Sequence, residues 1–204
     1  MIPDKTFTTH PPVLEVLARR WSPRAFDPGR PLARDLLLAL LEAARVAPSC
    51  FNEQPWRFLV FDAGNTDALE QARGCLSPGN AWARNAPVLL LSVAVDRWQR
   101  DGSPNRFAQH DVGMASENLA IEATALGLAV HFMAGFDDQK ARQVFGIPDG
   151  FMPMAMIAVG HPGDPETLPP KQKDRELAPR TRKPLAEIAF ASRWARAFDS
   201  GAAD

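Results

Sequence analysis

Residues 107–133 read FAQHDVGMASENLAIEATALGLAVHFM, and a change of period inside this stretch decides the fold. Val112, Met114, Ala115, Leu119, Ala120, Ile121, Ala123 and Leu126 leave a helix over Phe107 to Leu126 apolar nearly all round, which suits an interior or an interface. Gly127 marks its end, and Ala129 to Met133 then predicts a short strand. The alternation of helical and extended stretches continues in both directions.

Upstream, Pro87 to Val95 predicts a strand, Thr66 to Gly74 a helix and Arg57 to Phe61 a short strand rich in aromatic and branched residues. Leu32 to Val46 predicts a helix with Leu36, Leu37, Leu40, Leu41 and Ala44 on one side, stopped by Pro48. Pro12 to Arg20 predicts another, carrying Val13, Leu14, Val16 and Leu17. Downstream follow a helix over Gln139 to Phe145 and a strand over Met154 to Gly160. After Gly160 the character changes. His161 to Pro184 carries six prolines and many charges without a periodic apolar face, the mark of an excursion over a surface. Apolar residues return at Leu185 to Phe190, so the tail is expected to dock at a distance, on a partner subunit.

The 204 residues, 46% hydrophobic and 23% charged, fit a single domain spanning 1–204. A net charge of -1 offers no basic field for nucleic acid. The segment Met1 to Lys5 lacks the basic and apolar pattern of a secretory signal. The longest apolar run, Ala86 to Val95, is about half the length a bilayer demands, so no membrane association is expected. Cys50 and Cys75 form neither a C-x-x-C pair nor a disulfide framework, which fits a cytoplasmic location. His10, His110, His131 and His161 never take metal-ligand spacing, and no metal site is expected. Motifs of serine hydrolases, P-loop enzymes and dinucleotide-binding folds are missing too.

Three polar segments stand out. Arg19 to Phe26, RRWSPRAF, clusters guanidinium groups and a hydroxyl at a helix exit; these suit a phosphate, and equally a basic helix end compensating the dipole. Ala47 to Trp56, APSCFNEQPW, sets Ser, Asn and Gln between a helix stop and a strand; such side chains can read a polar heterocycle, or simply cap a loop. Arg180 to Leu185, RTRKPL, is either an anion site or a solvated charge run.

Together these segments resemble the nitroreductase superfamily, in which R-[RH]-S-x-[RK]-x-F, P-S-S-x-N-x-Q-P-W, a G-F-D turn and K-x-R-x-P-L recur in this order. Here they stand as Arg20 to Phe26, Pro48 to Trp56, Gly135-Phe136-Asp137 and Arg180 to Leu185. The resemblance implies an α+β fold: a three-layer α/β/α arrangement whose mostly antiparallel central sheet is flanked by helices, with the extension 161–204 swapped onto the partner of a homodimer. It implies one FMN at each of two subunit interfaces, and NADH or NADPH as hydride donor to a small electrophile such as a nitroaromatic or quinone, in ping-pong fashion. Relatives that dehalogenate a substrate or break down the flavin, and a flavin-binding protein without turnover, are the alternatives.

Carried over residue by residue, Arg20, Ser22 and Arg182, supported by Arg180, would hold the FMN phosphate and nearby ribityl oxygens. Arg24 would lie near the pyrimidine edge. Ser49, Cys50 and Asn52 would reach the ring or ribityl chain from the partner, while Phe132, Met133, Ala134 and Gly135 would lie along one flavin face and offer a backbone N–H. No side chain is implied as a catalytic acid or base. Phe51, Trp98, Phe107 and His110 would shape the acceptor pocket. Two departures stand out: Trp21 occupies a position usually Arg or His, and Cys50 that of the second Ser.

Overall fold

The strand VLLLSVAV, Val88–Val95 (β2), is buried along all but its last residue, because both of its faces carry apolar side chains. The computed structural model describes residues 1–198. In it β2 lies between β1 (Trp56–Phe61) and β4 (Phe151–Gly160), with β3 (Ala129–Met133) beyond β4, and every pairing is antiparallel.

Alternation along these strands sorts the core into two layers. Leu89, Leu91 and Val93, with Met156, Ala158, Ala129 and Met133, face α3 (Thr66–Arg73), α5 (Asp138–Val144) and a 3-10 segment, Pro78–Asn85. Val88, Leu90 and Ala94, with Ile157, Val159 and Val130, face α2 (Arg34–Arg45) and α4 (Ala108–Ala125). Helices therefore cover both sides of the sheet, as the three-layer expectation requires. No helix among the described residues is long and apolar enough to cross a membrane.

Several boundaries differ from the expected ones. The first helix, α1, is only Glu15–Arg19 and buries no residue. Leu14 and Val13 stay exposed because none of the described residues covers them. β4 begins at Phe151, three residues earlier than expected, and its register with β2 shifts between Ser92 and Val93, where Met154 is skipped. Pro153, which has no N–H for the ladder, sits beside that bulge. The stretch expected to lack regular structure holds α6 (Pro170–Leu177). No apolar stripe signals α6 because its buried residue is a carboxylate, Glu176. Leu185–Glu187 forms a 3-10 turn within the chain.

α4 is less uniformly covered than its composition suggests. Asp111, Val112, Ala115, Ser116, Leu119, Ala120 and Ala123 are buried, whereas Gln109, His110, Gly113 and Glu117 form an exposed strip. The segment following α1 is laid along the end of β4: Asp27 N–H donates to His161 O, Gly163 N–H donates to Ala25 O, and Phe26 bridges Pro162. Gly163 permits this approach, since a Cβ there would stand 2.5 Å from the Phe26 carbonyl carbon.

Candidate functional site

Arg20 and the tail arginines, about 160 residues apart in sequence, meet around one cavity of about 900 Å³. Arg20, Arg180, Arg182 and Lys183 line one wall, Val13, Leu17, Leu185 and Ile188 an apolar one. Arg180 Nη1 donates to the carbonyls of Lys5 (2.7 Å) and Ala18 (2.6 Å), so this residue ties the tail to the α1 segment. Its guanidinium pKa is lowered, first by burial and then by repulsion from Arg182 and Arg20. The cluster is thus charged in advance for an anion. Arg182 Nη1 donates to the neighbouring Thr181 carbonyl, and its guanidinium stands over Phe7. Arg20 Nε lies 3.3 Å from Glu117 Oε1 on α4.

Glu117 also lines a second hollow, of about 270 Å³, between α4 and the bulged part of the sheet, with Ser92, Gly113, Phe132, Met154 and Ala155. The cationic cavity and this flatter, more apolar hollow therefore share one side chain. Gly113, one turn before Glu117, lies inside a helix, where glycine costs about 1 kcal/mol relative to alanine. A Cβ there would meet nothing within 4 Å. Packing among the described residues therefore does not require this glycine.

The remaining expected residues are placed as follows. Phe132 points towards α4 and the hollow, but Met133, its neighbour on the strand, is turned by the two-residue period into the opposite core layer at 2% exposure. Its side chain therefore faces away from α4. Ala134 and Gly135 follow the strand, and among the described residues their N–H groups donate to no backbone carbonyl outside the strand ladders. The Gly135 carbonyl accepts from Ser77 N–H (3.1 Å) and Asn80 Nδ2 (2.9 Å). A Cβ on Gly135 would meet Asn80 Nδ2 at 2.7 Å and Ser77 Oγ at 2.8 Å, so a larger residue here would displace these side chains.

Trp21 turns away from the arginines into a separate cavity beside Pro3, Thr124 and Leu128, with the Lys5 ammonium 5.6 Å from its ring centroid. Arg24 is drawn to a partner that sequence reasoning missed: its backbone N–H and that of Ala25 donate to the Glu176 carboxylate (2.9 and 3.1 Å), and its guanidinium lies 3.8 Å away. Burial raises the Glu176 pKa; the two backbone donors and Arg24 pull it back. Ser22 is half-buried beside Pro23, whose carbonyl accepts from His131 Nδ1 at 2.9 Å.

The loop with Ser49, Cys50 and Asn52 is held on another side of α4. Cys50 N–H donates to Asp111 Oδ2 (3.0 Å), a carboxylate that also meets His110 Nδ1 at 3.2 Å. Asp111 and Glu117 are six residues apart, which on a helix is about 9 Å of rise and about 240° of rotation. Within one chain the loop and the arginine cluster are therefore anchored on different sides of α4. Phe51 (φ 52°), Asn52 (φ 56°) and Gln54 (φ 51°) all adopt left-handed backbone, a strained run that presents Phe51 at 79% exposure. Trp98 is 7% exposed and supports Phe51 edge-on, at 5.9 Å between centroids. Arg100, also missed, stands over both rings. Phe107 carries Arg106 over its ring, and His110 is exposed. The signal for Asp111 and Glu117 was faint: they are two of three acidic residues, with Glu122, in a helix that also carries Gln109, His110, Ser116 and Asn118.

A model of the nitroreductase family matches residues 17–161. An uncharacterised 15.4 kDa protein from the ask 5' region of Mycolicibacterium smegmatis is 41% identical over 145 residues, covering 68% of this chain and 97% of that protein. A candidate NADH dehydrogenase/NAD(P)H nitroreductase of Methanothermobacter thermautotrophicus is 29% identical over 156 residues, covering 74% of this chain and 78% of that one. Among solved structures, an oxidoreductase containing FMN superposes with a TM-score of 0.87 at 36% identity, covering 95% of this chain and 98% of its own.

Proposed function

This chain belongs to the nitroreductase family, and on that footing we propose that it is an FMN-dependent oxidoreductase, transferring hydride from NADH or NADPH to a small electrophilic acceptor by a ping-pong mechanism. The observation that carries the proposal is the convergence of Arg20, Arg180, Arg182 and Lys183 on one cavity, which shares the Glu117 side chain with a hollow lined by Phe132 and Met154. A phosphate suits the first part and a flat ring the second. The FMN-containing relative and the candidate NAD(P)H nitroreductase support the same reading.

When bound, FMN would supply the two-electron chemistry between nucleotide and acceptor. The chain binds and orients. Arg20 and Arg182 hold the phosphate by charge-assisted hydrogen bonds, while Arg180, engaged with the Lys5 and Ala18 carbonyls, keeps the tail in place. Ala134 and Gly135 offer backbone N–H groups beside Phe132. Arg24, held by Glu176, keeps a positive charge near the Arg20–Phe26 segment. A nitroaromatic, quinone or similar flat acceptor needs little more than an apolar slot, and Phe51, backed by Trp98, with Phe107 and His110 beyond, forms one wall of it.

The active unit in this proposal is a homodimer, each chain a single domain of residues 1–204 whose extension 161–204, tied to its own chain through Glu176 and Arg180, reaches the partner with its apolar end, Leu185 to Phe190. Val13, Leu14, Leu185, Ile188 and Trp194 are all exposed apolar side chains, from 47% to 89%, concentrated on the α1 segment and the tail. A partner covering them would bring its own Ser49, Cys50, Phe51 and Asn52 to the arginine cluster, since one chain anchors the two sets on different sides of α4. Cys50 and Cys75 are unpaired, as a cytoplasmic protein would keep them.

The test is the visible spectrum of the purified protein before and after anaerobic NADH or NADPH. Yellow colour that bleaches, and its loss in Arg182→Ala, is the expected result. Protein that stays colourless with added FMN sinks the proposal, and bound flavin that neither nucleotide bleaches marks a flavin-binding protein without turnover. Intersecting rather than parallel lines in two-substrate initial rates would overturn the ping-pong order.

A further inference from the structure

Glu117 is the one acidic side chain among the described residues lining either cavity, and a carboxylate beside a phosphate cluster works against the anion. Stability does not account for it. Its pair with Arg20 is half-exposed on the glutamate side, and such pairs contribute little. Its position does account for it. Glu117 stands where the cationic cavity meets the hollow of Phe132 and Met154, one helical turn beyond Gly113, the glycine that packing within the chain leaves unexplained.

A ligand with its anionic end among the arginines and its flat end beside Phe132 must pass its middle across Glu117. An ionised carboxylate only accepts hydrogen bonds, and it offers two oxygens to do so. One oxygen engages Arg20; the other is available to a donor. A carboxylate at this point thus matches a linker rich in hydroxyl groups and mismatches an apolar or anionic one.

We infer that Glu117 is a specificity-determining residue that reads the linker of the cofactor: its carboxylate accepts hydrogen bonds from the ribityl hydroxyls of FMN. The inference rests on the FMN reading above. Because Glu117 is on an exposed strip of α4, its replacement leaves the core intact.

The experiment measures binding of three flavins to the full chain freed of flavin, followed by flavin fluorescence: lumiflavin, which has the ring alone; riboflavin, which adds the ribityl chain; and FMN, which adds the phosphate. Glu117→Ala should weaken riboflavin about tenfold, the value of one hydrogen bond to a charged acceptor, and leave lumiflavin unchanged. FMN should weaken less than riboflavin, because Arg20 released from Glu117 turns fully to the phosphate. Glu117→Gln, which keeps an acceptor oxygen, should recover most of the riboflavin loss. Riboflavin bound as well by Glu117→Ala as by the unaltered chain overturns the assignment, as does an equal loss of lumiflavin and riboflavin. An unaltered chain that binds none of the three fails the FMN reading itself, a result distinct from either.

Discussion

His131 shows how strongly a single position can be governed by its surroundings. It lies on β3 between Trp82, whose ring centroid is 4.5 Å away, and the Pro23 carbonyl. Burial lowers its pKa to about 4, with the Pro23 hydrogen bond opposing and the Arg24 charge adding to the fall. The folded chain thus holds a neutral ring donating through Nδ1, while the unfolded chain takes up a proton below about pH 6.5. A pKa depressed by folding makes the unfolded state the better proton binder between these values, so stability falls as pH drops from about 6.5 to about 4 and levels off below. Each pH unit is worth about 1.4 kcal/mol, which gives up to about 3 kcal/mol for the whole limb. Urea unfolding across this range should show a shallower acid limb in His131→Phe than in the unaltered chain. Identical limbs would mean that the ring titrates alike folded and unfolded.

Among the elements, α6 is attached by chemistry rather than by an apolar face. Glu176, 1% exposed, accepts hydrogen bonds from the N–H groups of Arg24 and Ala25, and Lys5 Nζ donates to the Ala178 carbonyl just beyond the helix. These bonds join the tail to the segment that carries Arg20 and Ser22. Removing one partner of a buried charged network leaves donors unsatisfied, at a cost of about 3 kcal/mol or more. Glu176→Ala should therefore lower Tm by roughly 10 °C for a chain of this size. Because the same bonds place the anion site, FMN affinity should fall with it. A variant with unchanged Tm would show that α6 is held by something other than its carboxylate.

For the molecule as a whole, the uncovered apolar residues and the split site make the same demand. α1 buries nothing, Trp194 is 89% exposed, and the Cys50 loop and the Arg20 cluster are fixed on different sides of α4. The second copy proposed above would satisfy both. Light scattering should give about twice the 22.4 kDa of one chain. A mass of one chain at micromolar concentration would leave the site incomplete and the exposed patch unexplained.

Period and punctuation in the amino-acid sequence determined the number and type of the main helices and strands, because burial on one face or two leaves a pattern that needs no knowledge of partners. The four ordered motifs likewise identified the family and the cationic residues now seen around one cavity. What tertiary structure alone decided is which side each residue faces and what it meets there. Met133 faces the core layer opposite α4 because a strand alternates, and Trp21 packs beneath the Lys5 ammonium. α6 stayed hidden because a buried carboxylate leaves no apolar period. Glu117 acquired its place only when residues about 160 positions apart closed around it, since proximity across that span is a property of the folded chain and of no local stretch.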